Sequence, residues 1–236
     1  MKPLCVIPAR RGSKRLPLKN LLPLDGKPLL AYSIEGALAC GLFDHVYVST
    51  EDEEISQIAK RFGAVVHVRP PELAGDLASA TDVCMDVCRS RKAAGDYYDA
   101  VVCLQPSSPL RVADDIRLAW EKFCASGANY LVSVTPIDPH YFHWAVHQQG
   151  EWWEMVFGDQ YIRERQHLPQ VYRPNGSIKI GRVDALLERP NFFGKHLVVY
   201  ETSEERSIHV ATQFDFVLAE CLLRNRVTRS NNLKEA

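Results

Sequence analysis

The sequence predicts an α/β protein, a three-layer α/β/α sandwich around a mostly parallel sheet. Two observations carry this. Short β-branched segments at residues 4–8, 45–49, 64–68, 100–104 and 130–134 alternate with longer stretches whose apolar residues recur every three or four positions. Strands separated by helices of that length must be joined by right-handed crossovers, which place parallel strands side by side and helices on both faces.

The elements follow in order. Residues 4–8 (LCVIP) are a continuous apolar run, as expected of a strand buried on both faces. Helices are expected over residues 29–40, 53–62, 81–93 and 113–125; Ile55, Ile58, Ala59 and Phe62 show the spacing of one buried helical face. From residue 138 to 172 the rhythm breaks into a polar, aromatic stretch with Tyr141, Phe142, Trp144, Trp152, Trp153, Phe157 and Tyr161. Such aromatics either form a partner surface or staple a small β subdomain to the main sheet, since both bury aromatic area. A strand returns at residues 177–181, and a last helix over about 215–225 is expected to pack back on the sheet. The chain is read as one domain, residues 1–236, with residues 138–172 as an inserted segment for dimerisation and sugar contact.

Composition sets limits. The 236 residues are 46% hydrophobic and 24% charged, enough for one sizeable core. Net charge is only −1, so any concentration of cations is local, which argues against a general nucleic-acid binder. Met1, Lys2 and Pro3 lead straight into a strand, with no apolar segment behind a charged start, so neither signal peptide nor membrane span is expected. Seven cysteines without a Cys-x-x-Cys pair suit a reducing, cytoplasmic setting, and Cys84 and Cys88 read as small core hydrophobes rather than a metal pair.

The concentration of cations lies directly after the first strand. Residues 9–20 (ARRGSKRLPLKN) hold five, Arg10, Arg11, Lys14, Arg15 and Lys19, around a turn. Glycine lets backbone approach an anion, loop amides point at oxygens, and Arg and Lys supply charge, so the pattern reads as a polyphosphate site. Neither Gly-Lys-Ser/Thr nor Gly-x-Gly-x-x-Gly follows, which excludes the P-loop and dinucleotide patterns. A solvated basic surface loop is the plain alternative. Its place at a strand's carboxyl end, where open parallel sheets bind ligands, favours a site.

Further segments join it: residues 48–52 (VSTED), 69–74 (RPPELA), 104–111 (LQPSSPLR) and 168–177 (LPQVYRPNGS). In this order the chain, from about residue 4 to 222, resembles the cytidylyltransferases that activate nine-carbon α-keto acid sugars, the CMP-sialic acid synthetase family with its legionaminic acid members. The resemblance implies a nucleotide-diphospho-sugar transferase-like fold with a small dimerisation subdomain, a homodimer, and CTP and a nonulosonic acid as substrates. It implies attack of the sugar's anomeric hydroxyl on the α-phosphorus of CTP with release of pyrophosphate.

The same resemblance assigns roles by position. Arg10, Lys14, Lys19 and Asn20 match the triphosphate loop, Arg69, Ala78 and Ala80 the stretch against cytosine and ribose, and Gln105 a strand-end amide for a sugar hydroxyl or phosphate. Arg165 matches an arginine that clamps the keto-acid carboxylate, a task for its planar fork. Arg173 and Asn175, with a proline between them, are expected at substrate or partner, and Phe192 and Phe193 match an apolar pocket for the acyl group, though an aromatic pair also suits plain core.

The match fails at one point. Family members read Asp-Ile-Asp-Thr ahead of the last helix, where the carboxylates hold magnesium; here residues 207–212 are SIHVAT. Neither His209 nor Ala211 replaces an oxygen ligand in kind. The metal ligands are therefore open: Asp215 or another acid takes over, catalysis is impaired, or Mg2+ arrives on the nucleotide, held by phosphate and water, which is the expectation adopted. His143 stands near where sialic acid enzymes often carry lysine, and Arg11-Gly12 replaces a double glycine, so the acceptor sugar is open. His140, His143 and His147 read as ordinary polar or dimer-contact histidines rather than a zinc site. A non-catalytic nucleotide-sugar binder, or a transferase for a shorter keto sugar, is the competing reading.

Overall fold

The computed structural model describes residues 1–159 and 164–232, with the side chains of Arg165 and residues 226–232 left out. The strands are β1 (Pro3–Pro8), β2 (Pro23–Leu24), β3 (Lys27–Pro28), β4 (Val46–Thr50), β5 (Val65–Val68), β6 (Ala100–Leu104), β7 (Tyr130–Ile137), β8 (Val146–Gln149), β9 (Trp152–Met155), β10 (Val171–Arg182) and β11 (Leu197–Glu201). The helices are α1 (Leu29–Ala39), α2 (Glu53–Arg61), α3 (Ala80–Ala93), α4 (Ala113–Ser126), α5 (Pro139–His143), α6 (Val183–Glu188) and α7 (Gln213–Asn232).

Seven strands form one sheet in the order β11-β7-β10-β6-β1-β4-β5. All neighbours are parallel except β10, which runs antiparallel to both β6 and β7. Alternate residues serve opposite faces, as the pleat requires. Cys5, Ile7, Val46, Val48, Val102 and Leu104 pack against α1, α2 and α4, through Leu30, Ile34, Ile55, Ile116 and Phe123. Leu4, Val6, Tyr47, Val101 and Cys103 pack instead against α3 and α6, through Cys84, Met85, Val87 and Leu186. The three-layer expectation thus describes this molecule.

Helix ends follow local chemistry. Asp52 caps α2 by accepting the Ile55 amide at 2.9 Å, and Ser79 opens α3 with a reciprocal box to Asp82, placing that helix's positive end beside the loop at residues 75–79.

Two expectations need correction. The last helix does not lie on the sheet: Phe216 and Ala219 of α7 are buried with Leu16, Leu24, Leu29 and Val210, a third cluster over the β2–β3 hairpin. The sheet also gains β11, an edge strand (LVVYE) not expected from the sequence although its first four residues are apolar; at the edge of the sheet Leu197 and Val199 stay exposed. Within residues 138–172, β8 and β9 pair as a separate hairpin bearing exposed Trp152 and Trp153. Tyr161 of the aromatic stretch lies outside the described residues.

Candidate active site

The sheet reverses its winding between β1 and β6, and there the carboxyl ends of both strands open on a cleft of about 510 Å³. Pro8, which ends β1, and Gln105, Pro106 and Ser107, which follow β6, form its floor. Arg10, Lys14, Arg15, Lys19 and Arg69 also line it, and among the described residues the lining holds no carboxylate. A lining with five cations and no carboxylate of its own suits a polyanion, although Asp76 and Glu51, just outside it, offset part of that charge.

Each cation is held differently. Lys19 is half-buried and donates to the Val210 carbonyl at 2.9 Å; burial, then neighbouring Arg15, lowers its pKa. Asn20 is buried and donates to the Arg10 carbonyl at 2.9 Å, so it shapes the loop from beneath. Arg69 is tied to the Ser49 carbonyl at 2.7 Å and lies 3.8 Å from Glu51; burial lowers its pKa. Arg10 and Lys14 share Asp76, at 2.8 and 2.6 Å, and this pairing holds the Asp76 carboxyl below its ordinary value. Arg11 turns away, pairing Asp52 at 2.6 Å on α2. Ala78 and Ala80 flank the α3 start and leave the wall open.

Gln105 Oε1 accepts from Ser107 Oγ at 3.4 Å, and Ser107 Oγ lies 3.2 Å from His209 Nδ1. The Val210 amide donates to the Ser107 carbonyl at 2.7 Å, pinning the segment before α7 against the cleft. Gly176 lies beside Gln105 and His209 with φ +73, a backbone angle that favours glycine; a Cβ there would meet Gln105 Oε1 at 3.5 Å and His209 Nδ1 at 3.6 Å, ordinary contact distances, so the angle and not the space selects glycine. His209 is pushed down to about 4 by burial first and then by the charges of Lys19 and Arg15.

Of the residues singled out in the sequence, Arg10, Lys14, Lys19, Asn20, Arg69, Ala78, Ala80 and Gln105 meet at this cleft. Others do not. Asn175 is 3% exposed and spends its amide inside the fold, accepting from Ser133 Oγ and the Ser177 amide and donating to Thr202 Oγ1 and Ser207 Oγ. It is a scaffold residue: the bulge in β10 between Pro174 and Lys179 turns it inward. Phe192 is core, packed on the α3 and α6 side of the sheet, while Phe193 is exposed; neither lines the cleft. Arg173 is exposed on β10 opposite Thr135, outside the cleft lining. The Arg165 side chain lies outside the described residues, and its backbone forms a short turn, Arg165–His167. Asp76 was not singled out, and Arg15 was named in the basic run but given no role of its own. Asp76 carries no sequence signal, because only the folded loop brings it to Arg10.

Magnesium, which the resemblance implies, does not fit the protein groups present. Asp215 Oδ2 accepts from the Ala211 amide, the Thr212 amide and Thr212 Oγ1 at 2.8 to 3.0 Å, which is a helix cap. Burial alone would raise the Asp215 carboxyl, but these donors hold it below its ordinary value. No group of three metal-binding side chains occurs among the described residues. Asp215 does not stand in for the missing aspartates.

The fold and the cleft define an α/β protein with a cationic cleft at its switch point. Residues 4–231 match the family model for cytidylyltransferases. The chain belongs to that family. It is 34% identical over 227 residues to the pseudaminic acid cytidylyltransferase of Campylobacter jejuni, covering 95% of this chain and 97% of that one. It is 36% identical over 222 residues to the N-acylneuraminate cytidylyltransferase of Streptococcus agalactiae, covering 92% of this chain and 52% of that longer one. Among solved structures, a CMP:2-keto-3-deoxy-manno-octonic acid synthetase complexed with CTP superposes with a TM-score of 0.74 at 20% identity, covering 96% of this chain and 100% of that one, which speaks for the fold.

Proposed function

We propose that this chain transfers CMP from CTP to the anomeric hydroxyl of a nonulosonic, sialic acid-like sugar and releases pyrophosphate. One observation carries the reading: in a member of the cytidylyltransferase family, five cations without a carboxylate line a cleft at the carboxyl ends of β1 and β6. The hydroxyl oxygen bonds to the α-phosphorus as the bond from that phosphorus to the departing pyrophosphate breaks. Such a transfer needs alignment and charge neutralisation more than covalent help.

Arg10, Lys14 and Lys19 neutralise the β- and γ-phosphates, and Asn20 keeps the loop that presents them. Arg69 and the open wall at Ala78 and Ala80 take the nucleoside, and Gln105 lies where sugar and phosphate meet. Arg165 holds the sugar carboxylate, with Arg173 and Phe193 further out at substrate or partner. No described group of three metal-binding side chains would hold Mg2+, so the triphosphate itself would have to carry it, where it would neutralise phosphate charge. The Trp152–Trp153 hairpin is the contact between two copies of the chain, in the cytoplasm. No helix is long and apolar enough to cross a membrane. The reading of a non-catalytic binder is not favoured by the family match. Incubation with CTP, Mg2+ and a panel of nine-carbon α-keto acid sugars is expected to release pyrophosphate with at least one, and silence with every sugar would refute the proposal.

A further inference from the structure

His209 occupies a position that the phosphate-binding groups do not explain. Its ring is wedged beside Gly176, and its Nδ1 faces Ser107 Oγ at 3.2 Å. Ser107 Oγ in turn reaches Gln105 Oε1 at 3.4 Å. A carbonyl oxygen only accepts, so with Gln105 oriented this way the Ser107 hydroxyl donates to it and accepts from His209 Nδ1–H. In that arrangement the proton sits on Nδ1 and the lone pair on Nε2. Nε2 has no hydrogen-bond partner among the described residues and, unlike both ring nitrogens of His143, is not shut away from solvent. His209 is not itself among the lining residues, but Gln105, Ser107 and Ala211 are, as are Lys19 and Arg15, whose charges act on its ring, so the ring stands directly behind that part of the wall.

We propose that His209 Nε2 is the general base that takes the proton from the sugar's anomeric hydroxyl during cytidylyl transfer. The proposal rests on the transfer reading above and adds to it the residue that accepts the proton. The hydroxyl oxygen forms its bond to the α-phosphorus, its proton moves to Nε2, and pyrophosphate leaves with the electron pair of the broken bond. The imidazolium then returns the proton to water. A histidine is the side chain most often used for this task.

The surroundings time the step. Lys19, Arg15 and Lys179 face the ring as cations and Asp215 as a carboxylate; burial leads, and the cations add to it, in keeping the free ring deprotonated. A bound triphosphate counters the charge of Lys19 and Arg15, which raises the basicity of Nε2 once the nucleotide is in place. The base thus gains strength when its substrate is ready.

The test begins with the wild-type protein, CTP, Mg2+ and an accepted sugar. His209→Gln and His209→Ala are each expected to lower kcat by roughly 100-fold, with the KM for CTP within about threefold of wild type. The acid limb of the kcat–pH profile should disappear in both, and added imidazole should restore part of the His209→Ala rate. A His209→Gln kcat within about threefold of wild type, its acid limb intact, overturns the proposal. So does a His209→Asp plus Ala211→Asp double variant that outpaces wild type, since His209 would then mark lost catalysis. Nitrogen-15 NMR of histidine-labelled protein gives a readout independent of turnover and of how the Ala variant folds. An Nδ1–H tautomer whose pKa rises on adding CTP is expected, and an Nε2–H tautomer overturns the proposal. Silence of the wild type with every sugar would count against the transfer reading, while the tautomer would still decide the role of His209.

Discussion

Replacing Asn175 with Ala separates scaffold from site. The Asn175 amide makes four hydrogen bonds, at 2.5 Å from Ser133 Oγ, 3.1 Å from the Ser177 amide, 2.7 Å to Thr202 Oγ1 and 2.9 Å to Ser207 Oγ. All four partners are buried. At about 1 kcal/mol net per bond the total is about 4 kcal/mol. Three hydroxyls keep a second partner: Ser133 with Ile178, Thr202 with the Val134 carbonyl, and Ser207 with the Ser203 carbonyl. The Ser177 amide loses the acceptor it has in Asn175. The expected loss is therefore about 3 kcal/mol, which for a chain of this size lowers Tm by about 6–12 °C. Thermal unfolding followed by circular dichroism measures it, and the KM for CTP at low temperature, where the variant stays folded, should hold within about twofold. A Tm within about 2 °C of wild type, together with a raised substrate KM, would refute the scaffold assignment.

Lys19→Ala removes a half-buried cation from the cleft and is expected to lower kcat/KM about 100-fold, with far-ultraviolet circular dichroism unchanged. Asp76→Asn frees Arg10 and Lys14 from their shared carboxylate, so calorimetry at low salt should find CTP bound more tightly, by an amount that shrinks as salt rises. Because the folded pKa of His209, about 4, lies below the unfolded value of 6.5, the unfolded chain takes up a proton that the native one refuses as pH falls through that window. Stability is then lost by about 3 kcal/mol between those two pH values and levels off below the lower one, and urea unfolding of wild type against His209→Gln should show the difference. Trp152→Ser with Trp153→Ser changes two exposed side chains, and sedimentation should report a shift from dimer to monomer where wild type is dimeric.

The cleft was legible wherever its chemistry is contiguous. Five cations in residues 9–20 announce an anion site whatever the fold, and Gln105 could be placed at a strand end because the apolar run before it stops there. Asn175 and Phe192 misled for a shared reason: a motif records which residues occur together but not which face of a strand or loop they take. The β10 bulge decides that for Asn175, and packing against α3 and α6 decides it for Phe192. Asp76 and the contact made by His209 were hidden differently, since their partners stand far away in sequence, at Arg10 and Ser107.

By itself the chain determined its alternation of strands and helices, because the periods of 2 and 3.6 are local consequences of backbone geometry. It determined the cationic loop after β1 in the same way, from neighbours in sequence. The order of strands, the reversed β10 between β6 and β7, and the settling of α7 over β2 and β3 were decided only when apolar faces found partners across the molecule. The relay from His209 through Ser107 to Gln105 belongs to that second kind, because residues 107 and 209 meet only after the sheet has formed.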